Sequence, residues 1–248
     1  MCAACAARLT EAVRAKQTPL CVGLDPFADK VPALFGDMRA DPAATLMKFG
    51  ASLIDLAARH APVLKPQLGL FEQFGEMGYA AARMLTEYAQ NAGMLVILDA
   101  KRGDIGTTAE AYARATLGAK PGFGADCVTV NPYMGKDTLA AFVTLAQREG
   151  KGVAVLVRTS NPGGDAVQNL QLKDGRTVAE AVGGMIAKIG RDYVGERGYS
   201  SLGAVVGATK PQDAKRLREI MPQQIFLVPG YGAQGAGIND VLPCFKSD

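Results

Sequence analysis

The sequence predicts an α/β fold of the (β/α)8 TIM barrel type, lacking the eighth strand and its helix at the C-terminus, with residues 1–248 as a single domain. Three observations predict it. Short apolar, β-branched runs alternate with longer helical patterns, and that repetition argues for βαβ units. The runs are apolar throughout, without period-two alternation, as suits parallel strands buried on both faces. Finally, polar residues fall at the C-terminal ends of successive strands: Asp25, Lys65, Asp99 with Lys101, Asn131, Arg158 with Ser160, and Gly207. A doubly wound open sheet would spread these residues along a line. A barrel gathers its strand ends into one ring, carries its active sites there and typically runs to about 250 residues, so the barrel is favoured.

Taken in order, LCVGLD at 20–25 reads as the first strand, and the helical pattern ATLMKFGASLIDLAARHA follows it. PVLKPQLG at 62–69 is the second strand, before a helix closed by Gly93. MLVILDAK at 94–101 is the strongest strand pattern, and DIGTTAEAYARATLG reads as the helix after it. Strands follow at CVTV (127–130), GVAVLV (152–157), GAVVGA (203–208) and IFLV (225–228), with helices at 136–148, 177–197 and 211–220 between them. The stretch TSNPGGDAVQNLQLKDGRT at 159–177 has no strand or helix pattern. A loop this long is either a binding loop or lid, or a tolerated surface insertion. After VPGYGAQG the chain runs out without an eighth strand, which leads to the expectation of a chain shorter than its fold, or of closure by an N-terminal element.

Composition narrows the functional classes. Hydrophobic residues make up 48% and charged residues 21% of 248, a globular balance that excludes disorder, collagen and coiled coil. A net charge of +3 is too small for a nucleic-acid footprint. The single histidine, His60, excludes a multi-histidine metal site and leaves one residue for any Ser-His-Asp arrangement. It reads as a cation near a helix end. The five cysteines are Cys2, Cys5, Cys21, Cys127 and Cys244. Cys2 and Cys5 form a CxxC with no second pair, and read as incidental thiols at a frayed terminus. No run reaches the roughly 18 apolar residues of a membrane span, and the N-terminal segment turns charged too early for a secretory signal. The expectation is a cytoplasmic protein that binds neither membrane nor nucleic acid.

The chemistry concentrates in LDAKRGDIG at 98–106. Asp99 and Lys101 lie two apart on one strand, a spacing that projects both side chains to one face. Lys65, at the end of the neighbouring strand, adds a second cation. Asp104 opens the next helix, either as a simple N-cap or as a third charged member. An ordinary ion pair is the alternative for Asp99 and Lys101, although burying two charges costs several kcal/mol per ion unless they are well paired.

The Asp-x-Lys-x-x-Asp pattern of Asp99, Lys101 and Asp104 resembles the signature of the orotidine 5′-phosphate decarboxylase family. LDAKRGDIGTTAEAYA is similar to the family's bacterial and mycobacterial-type branch. The resemblance extends in order through LCVGLDP, LKPQLGLFEQFG, VNPYMG, VRTSNPGG and VPGYGAQG, and so covers nearly the whole chain. It implies cofactor-independent decarboxylation of orotidine 5′-monophosphate to uridine 5′-monophosphate in pyrimidine synthesis, with no metal. By the same resemblance Lys101 protonates C6, Asp99 sits beside the departing carboxylate, Lys65 serves the ribose and the charged network, and Asp25 binds a ribose hydroxyl. Ser160 reads the pyrimidine edge, and Gln234 with Gly230 and Gly235 meets the phosphate. A homodimer with shared sites is implied, in which Asp104, Ile105 and Thr108 reach into the partner's site. One departure is that no arginine follows Arg218, where the family carries a phosphate-gripping arginine on its eighth strand. The expectation is therefore weakened phosphate binding, or a chain that is a fragment of a longer product. Two alternatives stand beside it: a metal-dependent sugar-acid-phosphate decarboxylase or aldolase of the same superfamily, with Glu72 as its ligand, and a truncated inactive remnant.

Overall fold

The computed structural model describes residues 5–232 and 234–246. Its elements run α1 (Cys5–Lys16), β1 (Cys21–Leu24), α2 (Pro42–Ala57), β2 (Val63–Pro66), α3 (Gly69–Glu72) and α4 (Gly75–Asn91). β3 (Leu95–Arg102), α5 (Gly106–Leu117), β4 (Cys127–Val130), α6 (Lys136–Glu149) and β5 (Gly152–Arg158) follow. The remainder is α7 (Asp165–Gln168), α8 (Val178–Gly190), β6 (Ser200–Val206), α9 (Pro211–Ile220), β7 (Gln224–Leu227) and α10 (Ile238–Val241). The strands hydrogen-bond in chain order, β1 to β7, which is the strand order of a βα barrel. Among the described residues there are seven strands, and a short α10 and a 3-10 turn at Leu242–Cys244 follow the last. No helix among those residues is long and apolar enough to cross a membrane.

The chain divides into two compact units, one of Arg8–Ala100 with Glu110–Val128, the other of Lys101–Ala109 with Thr129 onward and the residues up to Ala7. In the first unit β1 pairs in parallel with β2, Cys21 opposite Val63 through Leu24 opposite Pro66, and β2 pairs with the start of β3. Leu24, Leu46, Ile54, Leu64, Phe71, Leu85 and Leu98 are almost wholly buried there, each contributing roughly 1.5–3 kcal/mol by leaving water. Asp41 caps α2 by accepting the Ala44 N–H at 3.0 Å, with Pro42 opening the first turn. α2 and α4 approach closely because Gly50 has no side chain: a Cβ there would stand 2.4 Å from Leu85. Asp126 ties the unit together, accepting from Arg8 at 2.7 Å, from Gln90 at 3.0 Å and from the Val96 N–H at 2.9 Å.

In the second unit β5, β6 and β7 are parallel, with Val153 opposite Leu202 and Ala204 opposite Phe226. α8 begins with a full capping box, Thr177 and Glu180 each satisfying the other's backbone N–H. The helix expected over 177–197 ends earlier, at Gly190, and a 3-10 turn continues it to Tyr193.

Two expectations are corrected here. Cys5 is not part of a frayed end: it lies in α1, is 7% exposed, and packs where a Cβ on Gly152 would come within 2.8 Å of its sulfur. Burial of an apolar thiol against the start of β5 outweighs fraying; Cys2 lies outside the described residues. The 159–177 stretch is likewise not irregular throughout, since it holds a 3-10 turn at Pro162–Gly164 and the short helix α7.

Candidate active site

In the first unit three candidates meet at the C-terminal ends of β1, β2 and β3. The parallel register sets Lys65 opposite Gly23, so Asp25, just past β1, comes level with it. Lys65 Nζ lies 3.2 Å from Asp99 Oδ2 and 3.9 Å from Asp25 Oδ1. Asp99 is 7% exposed, and its Oδ2 also accepts from Gln67 Nε2 at 2.9 Å. Asp25 is largely open to solvent, where screening leaves an ion pair worth about 0–1 kcal/mol. Lys65 therefore belongs mainly to Asp99. A buried carboxylate needs such partners, because removing one from a buried pair costs about 3–5 kcal/mol. Cys21 sits beside this cluster, and desolvation, with Asp99 and Asp25 adding to it against Lys65, pushes its thiol up to about 12. It is a neutral thiol at physiological pH.

Gln67 is a site residue that sequence reasoning missed. It stands two after Lys65, in the same LKPQLG run, and its backbone bridges to Asp99. That two-residue spacing was the available signal.

Lys101 lies in the second unit. Its φ is +47°, a left-handed conformation that costs a non-glycine residue roughly 1–2 kcal/mol. The regular pleat of β3 does not run through it, so two-residue spacing alone does not set its direction: Asp99 is buried and Lys101 exposed. Its N–H donates to the buried Thr129 hydroxyl at 3.0 Å, which holds the unusual backbone in place. Strain of this kind collects at functional sites.

Asp104 accepts from the adjacent Ile105 N–H at 2.8 Å. The first helical bond of α5 runs from Ala109 N–H to the Ile105 carbonyl, so Ile105 occupies the capping position and Asp104 precedes it. Ile105 is 62% exposed, Thr108 is exposed, and Tyr133 after β4 is 86% exposed.

At the end of β5, Arg158 is 1% exposed. Its Nε donates to Asp213 at 2.7 Å, Nη1 donates to Gln168 Oε1 at 3.0 Å, and Nη2 bonds Asp165. Burial would lower its pKa, but the bonds to Asp165 and Asp213 outweigh it and hold the guanidinium charged. Hydrogen bonds first from Lys210 and then from Arg158 lower the pKa of Asp165. Ser160, two residues on, accepts at its carbonyl from the Thr209 hydroxyl at 2.9 Å. Asp165 and Gln168 fall in the 159–177 stretch read as a binding loop or an insertion, whereas Thr209, Lys210 and Asp213 carried no sequence signal, Asp213 lying 55 residues from Arg158.

Gly230, Gly232 and Gly235 of the PGYGAQG segment have left-handed backbones, with φ of +107°, +74° and +85°. Gly232 N–H donates to the Ala236 carbonyl at 3.0 Å, and Ala236 N–H to the Gly230 carbonyl at 3.2 Å. Gln234 and Gly235 face Thr209 and Pro211 across a cavity of about 210 Å³ at the start of α9. A larger cavity of about 440 Å³ lies at the opposite ends of β5 and β6, against Lys151 and Ser201, and none of the candidate residues lines it.

The remaining candidates stand apart from these groups. His60 is an exposed residue past the end of α2. Glu72, in α3, accepts from the Tyr79 hydroxyl at 2.9 Å. Among the described residues no group of three or more His, Cys, Asp or Glu is placed to hold a metal ion.

Comparison with known proteins adds an independent line. A family model described as "Orotidine 5′-phosphate decarboxylase / HUMPS family" matches residues 18–243. The orotidine 5′-phosphate decarboxylase of Rhodopirellula baltica is 41% identical over 245 residues, covering 95% of this chain and 81% of that one. A solved Streptomyces avermitilis structure, described as an orotidine 5′-phosphate decarboxylase, superimposes with a TM-score of 0.85 at 40% identity, over 98% of this chain and 82% of that one. Leishmania donovani OMP decarboxylase superimposes with a TM-score of 0.75 at 36% identity, over 94% and 84%. With its strand order, its Asp-x-Lys-x-x-Asp segment and a match along most of its length, the chain belongs to the orotidine 5′-phosphate decarboxylase / HUMPS family.

Proposed function

We propose that this chain decarboxylates orotidine 5′-monophosphate to uridine 5′-monophosphate in pyrimidine synthesis, without a cofactor. The observation that carries the reading is the lysine-bridged pair of carboxylates, Asp25–Lys65–Asp99, whose last member stands two residues before Lys101 on β3, in a chain of this family.

In the reaction the bond from C6 of the pyrimidine to its carboxylate breaks, and the electron pair stays on C6. Carbon dioxide leaves, the ammonium of Lys101 delivers a proton to C6, and the lysine regains one from water. A fixed ammonium both stabilises the developing charge and protonates it, so no electron sink is required. Asp99 flanks the departing carboxylate, oriented by Lys65 and Gln67. Asp25 and Lys65 serve the ribose, and Ser160 meets the pyrimidine edge. Gly230, Gln234 and Gly235 take the phosphate; backbone N–H groups of a glycine turn suit an anion, and the cavity against Gln234 supports the assignment.

We assign the protein to a homodimer, with Asp104, Ile105 and Thr108 entering the partner's site. The exposure of Ile105 and Thr108 leaves them accessible to a partner. The reading takes 1–248 as one catalytic domain and the cytoplasm as its compartment.

The test is loss of orotidine 5′-monophosphate absorbance with the purified chain, without added metal and again with EDTA. Turnover unaffected by EDTA is expected. No turnover by a cooperatively folded chain overturns the reading, and turnover abolished by EDTA favours the metal-dependent sugar-acid-phosphate alternative.

A further inference from the structure

The Arg158 cluster is not a substrate contact in the mechanism above, yet it is extensively bonded. Its arrangement is specific. Gln168 Oε1 accepts from both Arg158 and the Thr159 N–H, the latter at 2.9 Å, while Gln168 Nε2 donates to the Thr159 hydroxyl at 2.8 Å. Arg158 thus fixes Gln168, and Gln168 clamps Thr159 from backbone and side chain together. The next residue, Ser160, is held from the other side by the Thr209 hydroxyl. Asp165 takes Arg158 on one carboxylate oxygen and Lys210 Nζ on the other, at 2.8 Å. Lys210 directly follows Thr209 and precedes Pro211, two of the residues lining the Gln234 cavity.

Two separate ties therefore join the Ser160 backbone to the wall of that cavity: the direct Thr209 bond, and the path through Gln168, Arg158, Asp165 and Lys210. The two cations and the two carboxylates, Asp165 and Asp213, balance in charge. The cluster offers no net charge to a ligand and is suited to holding position.

We infer that Arg158 and Asp165 are positioning residues, which set Ser160 at a fixed separation from the Gln234 cavity so that one nucleotide spans both. This rests on the functional reading above, in which Ser160 meets the pyrimidine and Gln234 the phosphate. The cluster acts as a ruler on substrate length and acts on the reaction only through Ser160.

The experiment is a double-mutant cycle in the full chain with Asp165→Asn, Ser160→Ala and the pair. It reads kcat/KM for orotidine 5′-monophosphate, the affinity for uridine 5′-monophosphate by calorimetry, and Tm. Asp165→Asn is chosen because Arg158 keeps Asp213 and the fold is spared. The expected result is a loss in kcat/KM of about tenfold from Asp165→Asn that shrinks to under about twofold in the Ser160→Ala background, the signature of residues acting as one unit. Asp165→Glu is expected to recover most of the loss. An equal factor in both backgrounds, or a loss that only follows a lower Tm, overturns the positioning role while leaving the decarboxylase reading intact. A wild-type chain without turnover sinks the decarboxylase reading instead. The same cycle read in uridine 5′-monophosphate affinity then decides the coupling, and absence of both turnover and binding overturns both.

Discussion

Replacing Gly207 by alanine tests how strictly the end of β6 sets the place of Ser160. Gly207 has no left-handed backbone, so alanine is conformationally acceptable and only space is at issue. A Cβ there would stand 2.8 Å from Ser160 Cα, 2.9 Å from its nitrogen and 3.0 Å from its Cβ. Carbon atoms rest at about 3.5–4.0 Å, so the two segments must part by roughly 0.7 Å. Two of the three atoms met are backbone, which no rotamer change can move aside. Overpacking of this kind costs about 1–3 kcal/mol, which in a chain this long lowers Tm by roughly 2–4 °C per kcal/mol. A misplacement near 1 Å at a positioning group costs about a hundredfold in rate, so 0.7 Å predicts a loss in kcat/KM between about tenfold and a hundredfold, or roughly 1.4–2.7 kcal/mol of transition-state stabilisation. The assay is decarboxylation followed by absorbance, alongside thermal and urea unfolding. Gly69→Ala is the control: nothing lies within 4 Å of its Cβ position, and alanine there is expected to add about 0.4–1 kcal/mol by restricting the unfolded chain. A Gly207→Ala enzyme within about twofold of wild type in kcat/KM, at unchanged Tm, would refute the argument.

Further outcomes are expected at Lys101, Cys21 and Asp165. Lys101→Ala removes the proton donor and lowers kcat by at least the roughly 10²–10⁴-fold scale of general acid catalysis. Lys101→Gly is equally inactive but more stable than Lys101→Ala by about 1 kcal/mol, since glycine is at ease at a φ of +47°; equal stability of the two variants would contradict the strained backbone. Cys21, its thiol raised from 9.0 to about 12, resists iodoacetamide in the folded protein at pH 8, and labelling as fast as in the urea-unfolded chain would count against its placement. The folded chain holds that proton more tightly than the unfolded one, so this contribution to stability is intact below pH 9 and is lost as pH rises toward 12. Asp165 has the opposite sign: its pKa falls below the ordinary 3.8 beside Lys210 and Arg158, so its contribution is present above pH 3.8 and is lost as pH falls through the lower folded value. The Tm difference between wild type and Asp165→Asn should therefore close in acid, and a gap that stays constant with pH would refute the pairing.

Much of the scaffold is legible in the chain because it depends on local physics. The runs at LVILDAK and GVAVLVR are apolar and β-branched and form largely buried strands, and the spacing of such runs leaves room only for crossover helices. Asp25, Lys65, Asp99 and Arg158 are readable as candidates for the same reason: a charge at the end of a buried strand needs an explanation. Their partners are another matter. Lys65 reaches Asp99 across 34 residues and Arg158 reaches Asp213, in α9, across 55, and such pairs exist only once the strands and helices are packed. The left-handed backbone at Lys101, the clamp of Gln168 on Thr159 and the burial of Cys5 are equally absent from any local pattern, since each depends on atoms brought from elsewhere in the chain. The sequence by itself determined the repeated strand–helix order and which charges stand at strand ends, because periodicity and burial act along the chain. Only the tertiary structure decided which carboxylate each cation answers to, because Coulomb attraction and close packing act through space, within a few ångströms, regardless of separation in sequence.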